Sequence, residues 1–162
     1  MKNAKHIHEH LTSLGVVGKT LKHYLTLSLL LLFISCNVTP KAIDYGNEEC
    51  HFCKMTIVDK VHAAELVTKK GKVYTFDSTE CMVNFMNDFD TAEIELYLTN
   101  NYTEPEVLID ATKATFLISK NIPSPMGAFL SAFKDKANAE KIQQKKGGSL
   151  YSWKELLEHL NN

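Results

Sequence analysis

The stretch HAAELVTKKGKVYTFDSTECMVNFMNDF at residues 62–89 decides the fold. Residues 64–68 alternate in polarity, a Lys-Gly turn follows, and residues 73–76 are again rich in β-formers, so the sequence predicts a hairpin. Asp77 is placed to begin a helix, with Glu80 as its capping-box partner. That helix carries four apolar residues on one face, at Met82, Phe85, Met86 and Phe89. The stretch therefore predicts a β-β-α unit.

The rest of the chain repeats this plan loosely. Strand candidates lie at 107–109, 115–118, 128–133 and 149–151. The stretch 128–133 also fits a helix that opens at Pro125, but a strand is favoured because Asp135 supplies a new N-cap. Further helices are predicted at 136–146 and 153–160. The predicted fold is α+β, with two similar β-β-α halves in tandem.

A secretory leader is predicted before this domain. Residues 25–34 read LTLSLLLLFI, an apolar run that follows Lys and His and is shorter than the about 20 residues a membrane-spanning helix needs. The run ends in Phe33-Ile34-Ser35-Cys36, which resembles the lipobox of bacterial lipoproteins, whose Cys is acylated after cleavage. Cys36 is thus the predicted lipid anchor. A plain signal peptide and an N-terminal anchor helix are the alternatives.

The chain accordingly divides into a signal peptide at 1–35, a lipid-anchored tether at 36–48 and one domain at 49–162. Such an anchor predicts a bacterial membrane lipoprotein that faces the periplasm or the cell exterior. Once Cys36 is acylated, three of the four cysteines remain as thiols. Internal disulfides cannot satisfy an odd number, so at least one thiol is free, bound to metal or paired with another chain.

Charge and motifs exclude several classes of function. Residues 1–36 carry a net charge of +3 and the remainder −4, and the chain has no Arg. A mildly acidic body without Arg is a poor reader of phosphates, so nucleic acid is excluded as a partner. The chain also lacks a Ser-His-Asp spacing, GxSxG, a Gly-rich phosphate loop and HExxH. The sequence therefore predicts a protein that is not an enzyme.

Donor side chains are densest in CHFCKM, residues 50–55. A C-x-x-C turn points the thiols of Cys50 and Cys53 at one centre, and Met55 adds a thioether. Soft thiolate and thioether donors select Cu(I), whereas zinc prefers Cys and His and makes no ordinary use of Met. The alternatives are a disulfide between Cys50 and Cys53 and a core position for Met55.

Other sulfur and imidazole side chains are also candidate ligands. Met126 lies in a Pro-Met-Gly turn, where backbone can approach a ligand closely; its alternative role is a hydrophobic plug over the core. Cys81 lies in the first turn of the predicted helix and is otherwise a small buried hydrophobe. His51 and His62 are possible donors of lower priority.

Motifs spread over residues 50–160 resemble the NosL family. They are CHFCKM at 50–55, HAA at 62–64, GKVYTFD at 71–77, CM at 81–82, IDA at 109–111, PSPMGAF at 123–129, AF at 132–133 and GGSLYSW at 147–153. The family consists of membrane-anchored copper-binding lipoproteins that serve the assembly of nitrous oxide reductase, with a fold of two similar β-β-α halves. The resemblance implies that 49–162 is a NosL-like copper-binding domain.

The resemblance also implies a ligand set. The family's usual motif is a Cys followed by Gly-Met, which corresponds here to Cys53 and Met55, with Lys54 where Gly is usual. The family's Pro-Met-Gly corresponds to the turn that carries Met126. These three sulfur donors would hold one Cu(I), and Cys50, an extra thiol relative to the family pattern, is the fourth participant.

The implied function is a Cu(I) chaperone that delivers copper to nitrous oxide reductase and works with its periplasmic and ABC-type assembly proteins. Two rival functions remain at this stage. A zinc-binding structural or sensory module would use Cys50, Cys53, Cys81 and either His51 or His62. A thiol–disulfide oxidoreductase would act through Cys50 and Cys53.

Overall fold

The computed structural model describes residues 38–161. Their strands are β1 (Ala64–Thr68), β2 (Val73–Phe76), β3 (Ile94–Asn101), β4 (Glu104–Asp110), β5 (Thr115–Ile118), β6 (Leu130–Phe133) and β7 (Ser149–Tyr151). Their α-helices are α1 (Thr79–Met86), α2 (Lys136–Lys146) and α3 (Trp153–Leu160). The predicted α+β fold is confirmed. The predicted leader and Cys36 lie outside the described residues.

The strands form two antiparallel sheets with related connectivity. The first sheet has the order β2-β1-β3-β4, and the second has the order β6-β5-β7. In the first sheet β1 lies between its hairpin partner β2 and β3, the strand that follows α1. In the second sheet β5 lies in the same way between β6 and β7, the strand that follows α2. The unit common to both sheets is therefore β-β-α-β, one strand longer than the unit that the sequence patterns predict.

Strand β3 is absent from the sequence-based assignment because its buried end is polar. Thr99, Asn100 and Asn101 are all buried. The Thr99 hydroxyl lies 2.7 Å from that of Thr79, and the Asn100 amide donates to the Lys60 carbonyl at 2.7 Å. These bonds offset the cost of removing polar groups from water, so the burial leaves no hydrophobic pattern in the sequence.

The helix α1 begins one residue later than predicted. Ser78 is its N-cap, in an extended conformation, and the Ser78 hydroxyl accepts the Cys81 backbone N–H at 3.2 Å. The assignment of Asp77 as the start of the helix is therefore wrong. Glu80 does not act as a capping-box partner, because with Ser78 as N-cap it lies one position too early. Its carboxylate instead accepts a hydrogen bond from the Ser124 hydroxyl.

Both sheets contribute to one hydrophobic core. Fully buried side chains from the two parts meet there, including Phe76, Met82, Phe116 and Leu156. The Tyr102 backbone N–H, just after β3, donates to the Ala132 carbonyl of β6 at 2.8 Å. The two sheets are thus joined by backbone as well as by the core.

Part of the segment 36–48, which the sequence predicts as a tether, contacts the domain. The Lys41 backbone N–H donates to the Glu65 carboxylate at 3.1 Å, and Ile43 is buried in the core. Residues 41–48 therefore pack against the first sheet.

Candidate metal centre

The segment 49–57 folds across the junction between β2 and α1. The Cys50 backbone N–H donates to the Met55 carbonyl at 2.8 Å, which closes the C-x-x-C stretch into a turn. The His51 backbone N–H donates to the Thr75 carbonyl of β2 at 2.9 Å. These bonds hold the turn at the end of β2, beside the first residues of α1.

Three thiols and one carboxylate meet at this crossing. The Sγ atoms of Cys50, Cys53 and Cys81 and a carboxylate oxygen of Asp77 all lie within 4.8 Å of one another. Cys50, Cys81 and Asp77 are buried, and Cys53 is half-buried. All three cysteines are free thiols rather than a disulfide. Within residues 38–161, no other group of three or more Cys, His, Asp or Glu side chains has this geometry. Such a donor set fits a soft metal ion.

Hydrogen bonds mark Cys50 as the thiolate of the cluster. The Cys81 thiol donates to Cys50 and, with backbone N–H groups of Asp77, Cys53 and Phe52, lowers the pKa of Cys50 to about 6 despite burial. The same contact raises the pKa of Cys81, and burial and the Asp77 carboxylate raise it further. Burial raises the pKa of Cys53 as well. Near neutral pH the metal-free cluster therefore presents one thiolate, which hydrogen bonds stabilise.

Asp77 is the member of the cluster that the sequence analysis misses. Its Oδ1 atom is buried and has no hydrogen-bond partner among the described residues, a state that costs about 1–3 kcal/mol or more for a charged group. The signal that points to this role is the adjacent Ser78. Because serine caps helices as well as aspartate does, Asp77 is not needed as the cap and its side chain turns to the thiols.

The two predicted thioether ligands, Met55 and Met126, have exposed side chains. Met55 is 57% exposed and Met126 is 39% exposed, so neither fills a core position as the alternatives propose. The loop that carries Met126 docks on α1, because the Ser124 hydroxyl donates to Glu80. This loop of the second half therefore reaches the start of the helix that carries Cys81.

The backbone at Lys54 accounts for the glycine that is usual at this position. Lys54 has φ +66°, in the left-handed region that favours glycine. The turn that brings Cys53 towards Cys50 requires this conformation. The Lys54 ammonium donates to the His51 carbonyl at 2.8 Å, a contact that glycine lacks.

The two candidate histidines stand apart from the cluster. His51 Nδ1 accepts a backbone N–H of β2 at 3.1 Å. His62 is buried, with Nδ1 3.0 Å from Asp59 Oδ2 and Nε2 3.2 Å from Ser131 Oγ. Neither ring belongs to the cluster of donor atoms, so a zinc ion in this centre would find its fourth donor in Asp77 rather than in an imidazole.

Comparisons with known proteins bear on this fold and centre. Residues 40–160 match the sequence profile of the NosL family. This chain belongs to the NosL family. The copper-binding lipoprotein NosL of Stutzerimonas stutzeri is 26% identical to it over 120 residues, which are 69% of this chain and 63% of that protein. The crystal structure of the copper chaperone NosL from Shewanella denitrificans aligns with a TM-score of 0.64 and 27% identity, over 74% of this chain and 96% of that one.

The NosL resemblance seen in the sequence motifs is thereby confirmed, as is the α+β architecture. The matched part spans 63% of the length of the Stutzerimonas protein. Both relatives are named for copper rather than for an enzymatic activity. Within residues 38–161, none of the helices combines the length and the hydropathy required to cross a bilayer.

Proposed function

We propose that this NosL-family protein is a Cu(I) chaperone, without catalysis, that carries copper in the sulfur-rich centre at the start of α1. The observation that supports this most directly is the convergence of Cys50, Cys53 and Cys81 in a chain with relatives that are named for copper. Thiolate and thioether donors match the softness of the monovalent ion, which does not require hard oxygen ligands.

The division of the donors by exposure suits metal transfer. Cys53 is half-buried, its Sγ lies within 4.8 Å of the Sγ of the buried Cys50, and it precedes the exposed Met55 by two residues. In the proposal, Cys53, Met55 and Met126 bind the cargo ion and Cys50 supports it. A partner's sulfur or imidazole then replaces the exposed thioethers one at a time, so that copper leaves without passing through water.

The client and the location are part of the same proposal. Copper is delivered for the centres of nitrous oxide reductase, together with its periplasmic and ABC-type assembly proteins. The chain is held at the membrane by lipid on Cys36 and faces the periplasm or the cell exterior. The name of the Stutzerimonas relative, a lipoprotein, supports the anchor. The net charge of −4 outside the leader favours a basic docking partner.

An anaerobic Cu(I) titration against a strong chelator tests the proposal. The full chain carries Cys36→Ala in every sample, so that its thiol does not contribute. The expected result is tight binding by the otherwise native protein, near-complete loss in Cys53→Ser, and weaker binding in Met55→Leu and Met126→Leu. Equal copper retention by the native protein and by Cys53→Ser would remove the proposed primary ligand and with it the proposal.

A zinc module is the second candidate, because a Cys₃-Asp set resembles a closed zinc site. Zinc binding would be insensitive to Met55→Leu and Met126→Leu, which separates the two functions in the same titration run with Zn²⁺. A thiol–disulfide oxidoreductase is disfavoured, because the low-pKa thiol of Cys50 is fully buried and cannot reach a substrate disulfide.

A further inference from the structure

The donors of the metal centre divide into a buried set and an exposed set. The thiols of Cys50 and Cys81 are fully buried with the Asp77 carboxylate, whereas the thioethers of Met55 and Met126 are exposed. Cys53 is half-buried, belongs to the thiol cluster and precedes Met55 by two residues, so it can serve both sets. A low-coordinate Cu(I) ion cannot use three thiols, a carboxylate and two thioethers at once. The donor set therefore exceeds what one copper ion needs.

The buried set by itself has the features of a cation site. Its donor atoms lie within 4.8 Å of one another. Asp77 is buried, and its Oδ1 has no partner within the described part of the chain. A buried carboxylate oxygen without a hydrogen-bond partner is energetically costly, and a cation bound between it and the neighbouring thiols would offset that cost. The exposed thioethers are not needed to complete this pocket.

We propose that the chain binds two Cu(I) ions, which share Cys53. The inner ion lies between Cys50, Cys81 and Cys53, beside Asp77, and the outer ion lies between Cys53 and the thioethers of Met55 and Met126. This inference rests on the proposed function and adds a second metal position to it. Binding is not a redox step: copper stays monovalent, and each thiol that becomes a ligand releases its proton to water.

The two positions differ in what they do for a chaperone. The inner ion is enclosed by the buried thiols of Cys50 and Cys81, the latter in the first turn of α1, so it exchanges slowly. The outer ion is held partly by exposed thioethers, which are weaker donors than thiolates, so it exchanges quickly with a partner's donors. Occupation of the inner position shares the Cys53 thiolate between two cations, which weakens its hold on the outer one and favours release.

Copper stoichiometry and copper–copper scattering test the inference. The full chain with Cys36→Ala is titrated with Cu(I) in an anaerobic, reduced solution, and X-ray absorption is recorded at saturation. The expected result is two ions per chain with a short copper–copper path. Cys81→Ser should bind one ion with no copper–copper path and should release it to a thioether-containing peptide more slowly than the native chain releases its outer ion. The double variant Met55→Leu/Met126→Leu should also bind one ion but release it slowly.

Each other outcome has a definite meaning. Saturation of the native chain at one ion, or two ions in Cys81→Ser, overturns the inner position and leaves the chaperone proposal intact. No Cu(I) uptake by the native chain overturns the proposed function itself. Circular dichroism reports whether Cys81→Ser folds; if it does not, Asp77→Asn is the second variant, and an unchanged affinity for the second ion in that variant overturns the inference.

Discussion

The two sheets share a connectivity, but within residues 38–161 only the first lies beside a cluster of thiols that could hold a metal. In the first half the N-cap Ser78 is followed three residues later by Cys81, which is buried. In the second half the N-cap Asp135 is followed at the same spacing by Asn138, which is exposed. The next position is buried in both helices. Cys81 and Asn138 therefore occupy equivalent positions in the repeated unit, but Cys81 is buried and Asn138 is exposed to solvent.

The surroundings differ because of a segment outside the repeated unit. Residues 49–57 cover the junction between β2 and α1 and supply two of the three thiols. At the junction between β6 and α2, Lys134 and Asp135 are exposed to solvent. The shared topology thus places a helix start at the same point in both halves. Only at the start of α1 does an additional segment, residues 49–57, supply the further thiols that make a candidate site.

The largest predicted effect is a loss of stability from a substitution in the second sheet, Gly148→Ala. Gly148, just before β7, has φ +101°, and a Cβ atom there would lie 2.2 Å from the Ile118 carbonyl oxygen. Both steric overlap and a conformation disfavoured for L-residues oppose Gly148→Ala, so we expect a loss of about 3–5 kcal/mol in the free energy of unfolding. Denaturant unfolding measures the loss.

Gly147→Ala is the matched control, because Gly147 also has a positive φ but a Cβ there meets nothing within 4 Å. It should cost about 1–2 kcal/mol from backbone conformation alone. Equal losses in the two variants would show that the close approach of Gly148 to β5 does not constrain the second sheet.

Glu65 is the second point at which the halves differ. It is fully buried on β1, at the register position that Phe116 occupies on β5. Burial raises the pKa of Glu65 from 4.5 to about 7. The folded state therefore keeps a proton that the unfolded state loses, so the stabilisation is full below about pH 4.5 and disappears as pH rises through about 7.

Replacement of this carboxyl by a neutral group removes the pH dependence. Glu65→Gln should be more stable than the native chain by about 3 kcal/mol above pH 8, with the difference shrinking to near zero at pH 4.5. Denaturant unfolding over this pH range measures it. Glu95→Gln, on the exposed part of β3, should change stability by less than about 0.5 kcal/mol at every pH. A constant difference across the range for Glu65→Gln would contradict the assignment of the proton to this residue.

Sequence patterns predicted the elements that alternate cleanly and failed where polar groups are buried. The hairpin at 64–76 follows from alternating polarity, and the helix at 136–146 from the N-cap Asp135, a run of helix formers and the glycines that end it; the structure confirms both. The buried polar end of β3 left no such trace, and the only sequence signal for the Asp77 carboxylate is the adjacent N-cap Ser78. Cys50 and Cys53 could be paired from spacing, but the approach of Cys81 depends on a tertiary crossing that no local pattern encodes.

Two substitutions, one that removes a thiol from the first half and one that adds a thiol to the second, test whether the segment 49–57 creates the site. Cys50→Ser removes the hydrogen-bonded thiolate, and we expect Cu(I) affinity to fall on the order of a hundredfold, at least as much as loss of an outer-shell partner costs. Asn138→Cys places a thiol at the equivalent start of α2. It should add no copper ion, because Asn138 is exposed and no segment within residues 38–161 covers that helix start. Competition with a chelator measures both, and an extra ion in Asn138→Cys would mean that the helix start alone suffices.

The smallest predicted effect concerns the loop of the second half that contacts α1. The Ser124 hydroxyl donates to Glu80 and accepts the Leu130 backbone N–H at 3.4 Å. Ser124→Ala removes a hydrogen bond to a carboxylate, worth about 1.5–3 kcal/mol, so Met126 should spend less time over the thiols and Cu(I) affinity should fall about tenfold.

A double-mutant cycle with Met126→Leu separates placement of Met126 from general stability. If Ser124 acts on copper by positioning Met126, Ser124→Ala should cost almost nothing in a Met126→Leu background, because the ligand it places is already gone. Ser149→Ala, an exposed serine of β7, serves as the control and should leave affinity unchanged. Full additivity of the Ser124 and Met126 changes would mean that the loop is docked on α1 for stability, and that Met126 reaches the thiols without help from this contact.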